Sequence, residues 1–325
     1  MCSFDSFEKG LKNITFLFIG QNVLEFNKNM YAKPVHIQVL VQGNMTPDEA
    51  KLVFDSVSKT FNKSGEKVSK VPEIIVNKIP ESKTKVVRVD SFNLKDNNTY
   101  VINYYQFGPG SLQNYSWMEV ACHLMDEPVF DVLRTKEQLG YSVYSMLRNT
   151  HGITGISVTV NTQATKFTPD HVDTRIESFL EWFVKEKLEQ LDDEEFNQAV
   201  TTLVKLKSQV DVTLAEEVNR NWSEIVSREY MFDRRQTEIK LLESCEKKQM
   251  VDFVSLLINK ANSERRKLSV QVVGGNEISE DTMDDNPDAK FVLKYHGQDD
   301  PKLFIDDVLA YKKSLSAYPL HKIVE

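Results

Sequence analysis

Between residues 168 and 260 the chain spells three helix starts in succession, and this helical block most restricts what it can fold into. Thr168-Pro169-Asp170 opens the first, Asp192 with Glu195 the second, and Thr213 with Glu216 the third. In each, a side-chain oxygen can accept from backbone N–H groups that a helix leaves unbonded in its first turn. From residue 170, Val172, Ile176, Phe179, Leu180 and Phe183 fall on one face and predict a buried stripe. Ahead of the block, "TKVVRVDSF" and "NTYVINYYQFG" read as strands and "SLQNYSWMEVACHLMDEPVFDVL" as a helix of several turns. "GYSVYSML" and "GITGISVTVNT" then read as a hairpin pair with a connection of six to eight residues. After the block, "KLSVQVVGG" at 267–275 returns as a strand. Strands, then helices, then a closing strand predict an α+β fold, a sheet covered by helices mainly on one side.

The N-terminal part has a different character. The first 30 residues read as helix and loop without a clear start signal, and "PVHIQVLVQ" at 34–42 alternates like a strand with one buried face. A helix follows, with Thr46 as N-cap, Pro47 in the first position and Glu49 completing a capping box. The stretch 63–84, rich in Lys and Ser with two prolines, is the best linker in the chain. "NEISEDTMDDNPDAK" at 276–290 is acidic and poor in apolar residues, as expected of a surface loop, and the tail reads as a short helix with an extended end.

Composition narrows the function classes. A net charge of −8 without a basic stripe argues against a nucleic-acid partner. It suits basic peptides as ligands, although solubility accounts for the same charge. Cys2, Cys122 and Cys245 are odd in number and far apart, so no disulfide framework is expected and a reducing, cytoplasmic compartment is. The apolar run at 14–20 is too short for the ~20 residues that span a bilayer, so no membrane partner is expected.

Phosphate-binding loops, a GxGxxG fingerprint and a GxSxG elbow are absent from the sequence. Its six histidines, 36, 123, 151, 171, 296 and 321, include no two spaced three to five apart, so neither HExxH nor HxxEH can be written. A catalytic zinc needs about three protein ligands. His123 and Glu127, at i and i+4 on a helix, make half a site at most, and Cys122 on an apolar helical stretch reads as packed and inert.

One short stretch points further. "EPVFDVLRTKEQLGYSVYS" at 127–145 sets a charged helical turn, Arg134 to Gln138, hard against a strand, with Arg134 and Tyr141 seven residues apart. It resembles the fourth-domain signature of the insulysin and nardilysin family of zinc peptidases, the inverted zincins. "RNTHGITGISVTVNTQATKFTPDHVDTRIESFL", "VNRNWSEIVSREYMFDR" and "YPLHKIVE" look more like the nardilysin branch, and "VHIQVLVQGNMT" resembles the last strand of the family's third domain.

The resemblance implies a mixed or antiparallel sheet of the pitrilysin type and the non-catalytic C-terminal half of a clamshell metalloendopeptidase. Residues 1–75 would be the end of the third domain, 76–84 a linker and 85–325 the fourth domain. Zinc would sit in the N-terminal half, the implied partner, which carries HxxEH. This chain would bind no metal, be inactive alone, and supply chamber wall and contacts to substrate peptides.

Arg134 and Tyr141 would hydrogen-bond substrate near the scissile carbonyl. Arg134 brings a permanent charge on a fixed fork of donors, and Tyr141 a neutral phenol donor. The plainer alternative has Arg134 capping its helix or pairing with Glu137, and Tyr141 half-buried in sheet packing. Lys136 and Glu137 read as structural, through local ion pairs worth about 0.5 kcal/mol. A second functional reading is a pseudo-peptidase that binds or regulates without proteolysis. A partial third domain also implies uncovered apolar surface and self-association.

Overall fold

The computed structural model describes residues 16–31, 35–61, 74–93, 95–275, 293–297 and 300–324. The acidic stretch 276–290, residues 63–73 of the Lys/Ser-rich segment and residues 1–15 lie outside them. The chain divides into two compact units, residues 1–73 with 211–225, and residues 74–210 with 226–325. The first unit therefore takes in residues 211–225, which the sequence reading assigned to the fourth domain.

In the first unit, α1 (Phe16–Tyr31) and α2 (Pro47–Phe61) are the helices of its N-terminal part. The capping box of α2 forms as read: Thr46 N–H donates to Glu49 Oε2 at 2.7 Å and Glu49 N–H to Thr46 Oγ1 at 3.3 Å. Residues 35–42 are not a strand. Among the described residues no strand lies beside them to complete a ladder, and alternation by itself cannot satisfy backbone N–H and C=O groups. No residue of α2 is buried, and Val23, Leu24 and Phe26 of α1 are exposed.

The second unit is built on one sheet. Its strands are β1 (Val76–Asn77), β2 (Lys85–Asp90), β3 (Asn98–Pro109), β4 (Ser142–Thr150), β5 (Ile153–Gln163), β6 (Arg266–Val273) and β7 (Ala317–Tyr318). β2-β6-β3-β5-β4 form a five-stranded sheet, antiparallel except for the parallel β2/β6 pair, and β1 pairs with β7. β1 lies in the segment read as linker. Between β4 and β5 the connection is only His151-Gly152, not six to eight residues. Both have positive φ, 49° and 82°, as a two-residue hairpin turn matched to strand twist requires.

Helices cover one face: α3 (Leu112–Val129), α4 (Pro169–Trp182), α5 (Asp193–Lys207), α7 (Arg234–Glu243) and α8 (Lys247–Ile258), with α9 (Val308–Ser314) following the sheet; α6 (Leu214–Ser227) falls almost wholly in the first unit. The three read caps are present: Thr168, Asp192 and Thr213 accept from the N–H of His171, Glu195 and Glu216. The α4 stripe is buried as expected, and its ring and branched side chains pack with Met118, Ala121 and Met125 of α3 over Val101, Val143, Ile156, Val158 and Val160 of the sheet. The fold is α+β, a mixed sheet with helices on one side. Among the described residues no helix is long and apolar enough to cross a membrane.

Candidate functional site

The corner between α3 and β4 departs from regular structure at nearly every residue. Ser111 caps α3, accepting from Asn114 N–H at 3.1 Å, but Pro128 near its end has no N–H to give the ladder. From Phe130 to Lys136 the chain widens into π-helical turns, a form that recurs at functional sites. Glu137 N–H closes them on Val132 O at 3.0 Å, and Leu139 N–H reaches Leu133 O at 3.0 Å. Gln138 takes φ +53° to turn the chain, and Leu139 is buried as the plug beneath it. At Gly140 the backbone passes so close to β5 that a Cβ would stand 1.9 Å from Asn161 O. Tyr141 N–H then donates to Asn161 O at 3.1 Å, which enters the chain into the sheet.

This path sets Arg134 between two rings. Its guanidinium carbon lies 4.4 Å from the Phe130 ring centre and 5.1 Å from that of Tyr141. Such stacking leaves the in-plane N–H donors available while holding the plane. Tyr141 is 82% exposed and Phe130 43%. Glu137 does not pair with Arg134. Its carboxylate takes Arg175 of α4 as a two-pronged partner, at 2.6 and 2.7 Å, which lashes the corner to the helical layer. Lys136 pairs locally with Asp131 at 2.7 Å across the π-helical turn. Among the described residues no carboxylate forms an ion pair with Arg134. Of the plainer alternatives, two parts do not hold: Glu137 is paired with Arg175 rather than Arg134, and Tyr141 is exposed rather than half-buried.

Phe130 and Arg175 did not stand out in the sequence. The i, i+4 spacing of Phe130 and Arg134 on a helix end was a legible signal for the first. For the second there was none, because Arg175 lies 38 residues from Glu137.

On the face of the sheet away from the helices, Tyr144 and Met146 alternate with buried Val143 on β4, and Tyr100 alternates with buried Val101 on β3. These three side chains are exposed, Tyr144 and Met146 on the edge strand that leaves the corner and Tyr100 two strands away across β5. Beside the π-helical turns, a cavity of about 680 Å³ is lined by His123, Asp126, Glu127, Lys136, Trp182 and Glu195 among others. Burial raises the Asp126 carboxyl above its ordinary range, opposed by the Ser145 hydroxyl and by His123.

Among the described residues no three His, Cys, Asp or Glu side chains gather as a metal site, so the residues present do not fit a zinc. Cys122 is buried, and burial, with the Asp126 and Glu119 carboxylates adding to it, pushes its thiol up to about 12. N-ethylmaleimide at neutral pH should leave Cys122 unmodified in the folded chain, because the thiolate is the nucleophile. Mass spectrometry showing its alkylation before unfolding would contradict the packed, inert assignment.

Residues 19–203 match the family model described as the Peptidase M16 inactive domain. The chain is 38% identical over 316 residues to nardilysin of Homo sapiens, covering 94% of this chain and 27% of that protein. To the insulin-degrading enzyme of Drosophila melanogaster it is 27% identical over 303 residues, covering 92% of this chain and 29% of the other. The crystal structure of pitrilysin shares the fold at a TM-score of 0.65 and 16% identity, over 86% of this chain and 27% of pitrilysin. The chain thus spans less than a third of the length of these relatives. With a matched segment that runs from α1 through the Arg134 corner to α5, the chain belongs to the peptidase M16 inactive-domain family.

Proposed function

We propose that this chain is the non-catalytic C-terminal part of a nardilysin-like zinc metalloendopeptidase, forming chamber wall and substrate contacts for a catalytic N-terminal half. The domain boundaries go with this reading: residues 1–75 as the end of a third domain, 76–84 as a linker, and 85–325 as a fourth, non-catalytic domain. The observation that carries it is the ring-held Arg134 guanidinium, with no ion-pair partner among the described residues, beside the exposed Tyr141 phenol. Two donors held this way can donate to a peptide carbonyl oxygen and stabilise the negative charge that grows on it when it is attacked. The zinc and the activated water belong to the N-terminal half. This chain's part is to bind, orient and stabilise. The exposed Tyr100, Tyr144 and Met146 supply a surface against which an extended, basic peptide can lie. A cytoplasmic location completes the proposal.

The test is reconstitution. The chain alone, given zinc and a peptide with paired basic residues, should show no hydrolysis, and addition of the N-terminal half should restore it. In that assembly Arg134→Ala and Tyr141→Phe should each lower kcat by about 10²–10³, the loss typical of an oxyanion donor. Because Tyr141 is exposed and Arg134 is only partly buried, stability should change by no more than about 1 kcal/mol. Hydrolysis by the chain alone, or unchanged kinetics in both variants, would overturn the reading. Peptide binding by the chain with no hydrolysis in any assembly would favour the pseudo-peptidase alternative, which the exposed Tyr100, Tyr144 and Met146 also suit.

A further inference from the structure

A half-exposed phenylalanine on a helix end is an unrewarding use of apolar surface unless something covers it. On Phe130 that cover is the Arg134 guanidinium, whose carbon sits 4.4 Å from the ring centre, nearer than the 5.1 Å to Tyr141. Most other charged groups of the corner are engaged with one another: Lys136 with Asp131, Glu137 with Arg175, and the Lys166 ammonium with Gln138 O at 3.1 Å. Arg134 is restrained instead by rings. An arginine side chain with several free torsions loses much of its directing value if it sweeps through solvent.

We propose that Phe130 is a positioning residue: its ring forms the floor that fixes the plane of the Arg134 guanidinium so that its donors face a bound peptide carbonyl. This rests on the reading of Arg134 and Tyr141 as peptide contacts. Phe130 acts through Arg134 and donates nothing to the peptide itself. Tyr141 alone is a poor substitute as a restraint, because it is 82% exposed and lies at the start of an edge strand. The π-helical turns that carry Phe130 and Arg134 are closed by backbone bonds at Glu137 and Leu139, so the floor rests on a fixed frame.

The experiment uses the 325-residue chain, a fluorescein-labelled peptide with paired basic residues, and a double-mutant cycle of Phe130→Leu and Arg134→Ala. Phe130→Leu keeps apolar volume at a half-exposed position, and an unchanged thermal melt confirms that it folds. It should weaken peptide binding about 3- to 5-fold, as expected for loss of a partly exposed cation–π restraint, whereas Phe130→Trp should retain binding. In the Arg134→Ala background the same change should do nothing further. A second readout needs no peptide: in the ¹⁵N-labelled chain the Arg134 Nε–H resonance, displaced upfield by the ring, should return toward the random-coil position in Phe130→Leu and stay displaced in Phe130→Trp. If Arg134→Ala leaves peptide binding unchanged, the site reading fails and the positioning role with it. If Arg134→Ala weakens binding but Phe130→Leu does not, or acts equally in both backgrounds, or leaves the Nε–H resonance in place, only the positioning role is overturned.

Discussion

Glu177→Ala should destabilise the sheet-bearing unit by about 3–5 kcal/mol, the cost of removing one partner from a buried ion cluster. Glu177, on α4 and 8% exposed, accepts from the Tyr105 hydroxyl at 2.7 Å, from Arg265 at 2.8 and 2.9 Å and from Lys267 at 2.8 Å. Lys267, itself 5% exposed on β6, has Asp173 as its second partner at 2.7 Å. Deleting the carboxylate leaves a buried cation half-compensated and a buried phenol with no acceptor in place of the one it had. Urea unfolding gives the measurement, and a loss under 1 kcal/mol would show that the cluster is solvated or readily rearranged.

The same residue sets a pH dependence. Burial pulls its carboxyl upward, but Lys267 and Arg265 together outweigh that and hold it below the usual glutamate value. With a folded value below the unfolded one, its contribution is complete above the ordinary glutamate range and is lost as pH falls through the depressed value. In Glu177→Ala that part of the acid destabilisation should be missing.

Gly140→Ala should be the most damaging single-methyl change at the corner, costing about 3 kcal/mol, the upper end for overpacking. The added Cβ would meet Asn161 O at 1.9 Å, Asn161 C at 2.7 Å and Thr162 N at 3.2 Å, all backbone atoms of β5 that cannot rotate aside. The chain must lift, which breaks the Tyr141 N–H bond to Asn161 O and carries Tyr141 away from Arg134. Peptide binding should therefore fall together with the urea midpoint. An alanine variant with unchanged midpoint would mean that the close approach is not maintained in solution.

The two changes probe different ranges of the fold, and that difference explains what could be read from the sequence. The caps at Thr46, Thr168, Asp192 and Thr213 each join residues three apart, so the local pattern contains both partners. The α4 stripe was legible for the same reason, since its period is a property of one helix. Arg134 and Tyr141 were picked out by family resemblance, and their mutual stacking came only with the turn that joins them.

The rest depended on partners distant in the chain. Arg265 and Lys267 meet Glu177 and Asp173 across 88 and 94 residues, and nothing in the charge pattern says which acid each would choose. The alternating segment 34–42 shows the converse, a strand-like pattern without a strand beside it among the described residues.

The chain's own sequence thus determined its helices, its α+β character and the chemical types offered at the corner, because these follow from contacts within a few residues. Only the tertiary structure decided that β6 enters between β2 and β3, that Glu137 goes to Arg175, and that Arg134 is left to its rings. Those choices are settled by competition among distant partners for burial and charge, and that competition has an outcome only once the whole sheet and its helical cover have closed.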